Sequence, residues 1–334
     1  MAVRALDEEP ISARYLDAYL APLLPMLARA DVTDIFINRP GDVWIETISG
    51  ALEQIDCPEL DEARLWHLVR QIASLSHQGI SRAHPLLAAI LPDGSRVQVV
   101  APPATRAGMA LAIRKHVVPD LSLADYIGTG AFDAAGFSSG PQIRPPLKPP
   151  ASHDPAALAR YLVELVRARR NIMISGGTST GKTTFLNALI KEIPEHERLI
   201  LIEDTPELLL HRANGLGLLA VKGDLGEAQV STDDLLQAAL RMRPDRIILG
   251  ELRGIEAYSF LRAVNTGHPG SLTTIHADSP EGALEQLALI VLQSGTQLQR
   301  EDILHYANQV IDVVVQLERV DGARKISRIL LTRG

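Results

Sequence analysis

A chain of 334 residues exceeds one average hydrophobic core, so two domains are expected. No run of 18 apolar residues occurs and Cys57 stands alone, which argues against a membrane-spanning helix, an intrachain disulfide and a CxxC metal knuckle. The formal net charge of −7 runs against a protein that coats nucleic acid, because neutralising phosphates takes an excess of Lys and Arg.

The first ten residues, MAVRALDEEP, are acidic and lack an apolar segment, so no secretory signal is expected and a cytoplasmic address follows. Residues 11–30 are amphipathic, but Pro22 and Pro25 interrupt a long helix; packing against the protein is expected before lipid contact. Residues 31–46 predict strand, turn and strand, turned at Pro40-Gly41-Asp42. Leu65, Leu68, Val69, Ile72 and Leu75 give the apolar face of a helix over 61–75. A second hairpin over 88–103 turns at Pro92-Asp93-Gly94, and 109–117 adds a further strand. An α+β N-terminal domain over 1–118 fits this order.

Residues 119–153 change character. Four glycines between 128 and 140 are followed by PQIRPPLKPP, half proline, which reads as an extended linker with one short helix near 122–127. From Asp154 to residue 334 helices and strands alternate. A helix over 156–169 precedes the strand Ile172–Ser175, a helix over 182–191 follows, and strands are expected at Leu199–Ile202, Arg246–Leu249 and Leu272–Ile275. Strands separated by helices predict an α/β domain with a mostly parallel sheet covered on both faces. Arg167, Arg169 and Arg170 read as the solvated end of the first of these helices, and a closing hairpin turns at Asp321-Gly322.

The segment Gly176, Gly177, Thr178, Ser179, Thr180, Gly181, Lys182, Thr183, Thr184 matches the phosphate-loop pattern GxxxxGK[ST] and sits between a strand and a helix. Glycines let backbone amides approach phosphates, and the helix offers its positive end. In that pattern Lys182 contacts the β- and γ-phosphates and the Thr183 hydroxyl holds Mg²⁺, so ATP and Mg²⁺ are the expected ligands.

Hydrolysis also needs acids to orient water and hold the metal's water shell. Ordinary P-loop enzymes end a second strand in Asp; here RIILGELRG places Gly250 there, with Glu251 next. A neighbouring strand, LILIEDTPEL, ends in Glu203, Asp204 and Glu207. Strand ends are where ligands sit in open parallel sheets, so Glu203 and Glu251 are both candidates to face the γ-phosphate, with their roles undivided. His268 and His276 flank the strand Leu272–Ile275, and an imidazole there can report on the γ-phosphate.

The phosphate loop, LIEDTPEL, RIILGELRG and NTGHPGSLTTIHA, in this order, resemble the boxes of the secretion ATPase superfamily, in which the missing Asp is normal. GGTSTGKTTFLNALIKEIP, LLQAALRMRPDRIILGELRG and SPEGALEQLALIVLQ resemble the hexameric traffic ATPases of type IV secretion and conjugation. The N-terminal DVTDIFINRPGDVWIE and LPDGSRVQVVAPP extend the likeness. This resemblance implies a RecA-like motor domain behind the smaller N-terminal domain, six copies in a ring, and contact with other secretion components at the cytoplasmic face of the inner membrane. It further implies ATP hydrolysis with Glu203 as general base, Glu251 supporting metal or water, and His276 sensing the γ-phosphate. Arginines of the N-terminal domain, here Arg96 and Arg114, are implied to reach the nucleotide, with Arg106 a third candidate. A tight-adherence pilus motor of the same superfamily is the near alternative. A nucleic-acid translocase is a more distant one, set against the acidic balance.

Overall fold

The computed structural model describes residues 11–115, 122–128, 147–151, 154–221 and 227–332. Two short helices come first, α1 (Ile11–Leu20) and α2 (Leu24–Ala28), broken where Pro22 and Pro25 deny the chain a continuous ladder. They lie on the N-terminal sheet and its helix, so the segment packs on protein as its prolines and apolar spacing suggest.

That sheet is antiparallel and six-stranded. Its strands are β1 (Val32–Arg39), β2 (Asp42–Thr47) and β3 (Leu52–Asp56), then, after helix α3 (Glu62–Leu75), β4 (Leu86–Ile90), β5 (Arg96–Val100) and β6 (Ala110–Arg114). The spatial order is β3-β2-β1-β6-β5-β4. Asp61 caps α3 by accepting from the Arg64 amide at 2.7 Å, and Leu65, Leu68, Val69 and Ile72 point from it into the core. The expected hairpin over 31–46 is a three-stranded meander. Strand β3 (LEQID) went unread because only Leu52 and Ile55 in it are apolar, and an edge strand buries little.

Helix α4 (Leu123–Gly128) falls where the linker was expected to hold one; 119–121 and 129–146 lie outside the described residues. At the linker's end Leu147 packs on the C-terminal core of its own chain, and its carbonyl accepts from the Tyr161 hydroxyl at 2.8 Å.

The C-terminal part runs α5 (Pro155–Arg167), β7 (Ile172–Gly176), α6 (Lys182–Lys191), β8 (Leu199–Glu203), β9 (Gly215–Leu219), α7 (Thr232–Ala239), β10 (Arg246–Leu249), α8 (Glu256–Asn265), β11 (Leu272–Ile275), α9 (Pro280–Gln293), α10 (Arg300–Val310), β12 (Val313–Val320) and β13 (Ala323–Leu331). Its seven strands stand in the order β13-β12-β7-β11-β10-β8-β9, all pairings parallel except that of β12 with β13. Alternate strand residues face opposite layers: Ile174, Leu201 and Ile248 meet α5 and α6, while Met173, Ile200 and Leu249 meet α7 to α10. Continuous apolar strands are what a sheet covered on both faces requires. Strand β9, GLGLL, was missed because glycine is a poor strand former; Gly217 is small because the Arg106 side chain lies on it, 2.5 Å from where a Cβ would stand.

The reading of Arg169 and Arg170 as solvated helix-end charges is corrected. Only Arg167 fits it. Arg169 donates to the Asp245 carbonyl at 2.8 Å, and buried Arg170 pairs with Asp312 at 3.5 Å, because the chain turns back into the sheet directly after α5.

The two sheets share a core. Phe36, Val100, Ala104, Ala110 and Ala112 of the N-terminal part join the layer beneath α7 and α8. Polar contacts cross the same junction. Arg198 is 1% exposed, lies 4.1 Å over the Phe36 ring, and donates to Asn38 Oδ1 at 2.7 Å and Asn214 Oδ1 at 2.5 Å. Burial pushes its pKa down to about 9. The backbone bridges too: Arg106 N donates to Gly217 O, and Leu219 N to Ala104 O.

Candidate nucleotide site

The parallel register aligns the C-terminal ends of four strands. Leu249 stands beside both Ile202 and Thr273, and Ile275 beside Ser175. The residues that leave those strands are therefore neighbours: Gly176 from β7, Glu203 from β8, Gly250 and Glu251 from β10, and His276 from β11.

The phosphate loop is shaped by two left-handed residues, Ser179 (φ 62°) and Gly181 (φ 92°), the second of which caps α6. Gly176 admits no side chain, since a Cβ would lie 2.6 Å from Thr180 Oγ1 and 2.7 Å from Leu317 O. Lys182 is 8% exposed and curls onto its own loop, donating to Gly176 O at 2.9 Å and Gly177 O at 3.0 Å. Burial lowers its pKa and the charge of Glu251 works against that.

Lys182 Nζ also lies 3.4 Å from both ring nitrogens of His276. His276 Nε2 lies 2.9 Å from Glu251 Oε1, which places the ring between the lysine and the acid. The other oxygen of Glu251 accepts from Arg253 Nε at 2.6 Å, and this bond raises the Arg253 pKa. Arg253 reaches on towards Asp204 at 3.9 Å, and Thr183, Glu203, Asp204, Glu207, Glu251 and Arg253 line one cleft. Carboxylate and hydroxyl oxygens are the hard donors Mg²⁺ selects, so the donor set fits that ion.

Glu203 stands differently. It is 4% exposed. Its Oε1 accepts from the amides of Glu207 at 3.0 Å and Leu208 at 2.7 Å, which folds the 204–208 loop back over the strand end. Its Oε2 is paired with Arg106, whose Nη1 also donates to Leu208 O at 2.8 Å. A Cβ on Gly250 would come within 3.2 Å of Glu203 Cγ. The room an ordinary P-loop enzyme gives to its Asp is thus filled from the next strand by Glu203.

Of the expected site residues, Lys182, Thr183, Glu203, Glu251 and His276 are brought together. His268 is not: it precedes β11, at the opposite end of the strand from His276, and its Nδ1 lies 3.0 Å from Ala263 O. Arg96 and Arg114 face each other across β5 and β6, with Arg114 held 3.2 Å from Asp34, and neither lines the cleft. The arginine that meets a site acid is the third candidate, Arg106. Its signal in the sequence is faint, a single charge in the stretch Val97–Ile113 otherwise short of charges. Arg253 was passed over although it stands two residues from Glu251.

Comparison with known proteins covers most of the chain. The type II/IV secretion system protein family matches residues 17–320. The type IV secretion system protein VirB11 of Bartonella quintana is 38% identical over 326 residues, covering 93% of this chain and 91% of that protein. The PtlH homolog of Bordetella bronchiseptica, also a type IV secretion system protein, is 39% identical over 330 residues, covering 97% of this chain and 96% of its own. The crystal structure of the VirB11 ATPase from the Brucella suis type IV secretion system, in complex with sulphate, superposes with a TM-score of 0.82 at 37% identity, covering 95% of this chain and 97% of that one.

Proposed function

The chain belongs to the type II/IV secretion system protein family, and from that membership and its site we propose how it works. It is a secretion-system motor ATPase with a two-domain, RecA-like fold. Our reading is that the motor serves a type IV system, energising substrate transfer or pilus assembly as a ring of six copies. It works beside other secretion components at the inner membrane's cytoplasmic face. Among the described residues no helix is long and apolar enough to cross a membrane, so the attachment in this reading is peripheral. Residues 1–118 form the N-terminal domain, 119–153 the linker and 154–334 the motor.

The observation that carries the reading is the meeting of Lys182, Thr183, Glu203, Glu251 and His276 at the C-terminal ends of the sheet's inner strands. ATP lays its phosphates along 176–184. Lys182 then exchanges the carbonyls of Gly176 and Gly177 for β- and γ-phosphate oxygens, and the amides at the start of α6 complete the cradle. Thr183 and Glu251 would hold Mg²⁺, which supplies charge neutralisation on the phosphates. His276, already between Lys182 and Glu251, donates to the terminal phosphoryl group when it is present. Glu203 accepts the proton of the attacking water once Arg106 lets go of Oε2. Because Arg106 comes from the N-terminal sheet's side, its departure ties domain movement to the chemical step. Arg96 and Arg114 reach phosphate only if the N-terminal sheet moves or a neighbour supplies them.

The test is phosphate release by the purified chain, together with its mass with and without a slowly hydrolysed ATP analogue. The wild type is expected to hydrolyse ATP and to run as a hexamer with the analogue, and Lys182→Ala to lose turnover. Turnover undiminished in Lys182→Ala would remove the phosphate loop from the chemistry.

A further inference from the structure

Strand β12 pairs with β7 up to Leu317 beside Gly176, where β7 ends and the phosphate loop begins. It does not stop there. β12 runs on to Val320 and β13 returns from Ala323, so residues 318–325 stand out past the sheet alongside the loop. The contact is tight: Leu317 O lies 2.7 Å from where a Cβ on Gly176 would be.

On this overhang Arg324 lies against the last glycine of the loop. A Cβ on Gly181 would be 2.9 Å from Arg324 Cδ and 3.3 Å from its Nε. No carboxylate is within ion-pair distance of Arg324 among the described residues. Its cross-strand partner is Arg319, a second exposed cation, and directly paired residues send their side chains to the same face. Like charges so placed repel, whereas the next pair, Glu318 with Lys325, is opposite in sign and attracts. Two guanidinium groups on one face, one of them resting on a phosphate loop, make a place where an anion relieves repulsion.

We propose that Arg324 is a nucleotide-binding residue: its guanidinium grips the phosphate chain of bound ADP or ATP from the side opposite Lys182, with Arg319 adding charge behind it. The inference rests on the phosphate-loop reading above and adds a residue from the C-terminal hairpin to it. The chemistry suits arginine, whose planar fork matches phosphate oxygens two at a time. Since ADP keeps the phosphates nearest Gly181, Arg324 governs nucleotide retention more than the bond-breaking step.

Calorimetric titration with ADP, ATP and pyrophosphate tests it on the full chain. Arg324→Gln is expected to bind all three about tenfold more weakly, as loss of one charge-assisted contact implies, with KM raised and kcat kept. Arg324→Lys should recover part of the loss and Arg319→Gln should show a smaller one. The nucleotide-free protein should melt as the wild type does, since the side chain is exposed. Wild-type affinity in Arg324→Gln overturns the proposal. So does a loss seen with ADP but not with pyrophosphate, which would place the contact on ribose or base. Failure of the wild type itself to bind ADP would instead sink the phosphate-loop reading.

Discussion

Strands β8 and β10 lie side by side, β8 ending in Glu203 and β10 followed two residues on by Glu251, yet the two acids stand in opposite surroundings. Around Glu251 stand Arg253, which donates to it, His276 at 2.9 Å, and Lys182 beyond His276, all able to turn to phosphate oxygens. Around Glu203 the partners are two amides of its own loop and Arg106 from the other sheet's side. One acid is held by the site and the other by the junction. A nucleotide can rearrange the first set by binding. The second set changes only if the two sheets shift, which makes Glu203 the point where movement and chemistry meet.

The largest effect is expected at that acid. Glu203→Gln keeps a carbonyl to accept from the amides of Glu207 and Leu208, so the loop should stay folded and ATP should bind. As a general base it should be lost, at a cost of about 10² to 10⁴ in turnover. Phosphate release beside a nucleotide titration reads both. Full turnover would break the contrast, and Glu251 would inherit the role of base.

Arg106→Ala sharpens the contrast from the other side. Removing one partner of a buried ion pair leaves the other uncompensated, which costs on the order of 3 kcal/mol, and burial already depresses the Arg106 pKa. Denaturant unfolding should show that loss, while turnover survives because Glu203 is set free. A collapse of turnover as deep as in Glu203→Gln, with little change in stability, would make Arg106 part of the chemistry and not its restraint.

How much of this was legible in the sequence follows the same division. Lys182, Thr183, Glu251 and His276 belong to short boxes in which backbone and side chain are specified together; strand ends carry them to one edge whatever else the chain does. The parallel sheet was legible for the same reason, through the apolar runs Leu199–Ile202, Arg246–Leu249 and Leu272–Ile275. Arg106 precedes the acid it pairs with, Glu203, by 97 residues, and Arg324 follows the loop glycine it lies against, Gly181, by 143. No local pattern marks such residues, because register across separate elements decides what they touch. His268 shows the converse: a histidine inside a box, in a glycine-rich turn, is carried to the far end of its strand.

The smallest effect is expected where the same junction reaches solvent. Arg82 of the N-terminal part forms a two-pronged pair with Glu227, and this bond raises the Arg82 pKa and lowers that of Glu227. Both side chains are about half exposed, at 54% and 49%, so water and salt screen the pair, and holding two long side chains in one geometry offsets much of the attraction. A double-mutant cycle with Arg82→Ala and Glu227→Ala should therefore give a coupling near the limit of detection, weaker still at high salt. Buried Arg198 and the largely covered Arg106, not this exposed contact, should carry the joint. A coupling as large as the Arg106 effect would mean that the junction is held at its rim, and that opening the rim, not releasing Glu203, is the step that lets the sheets move.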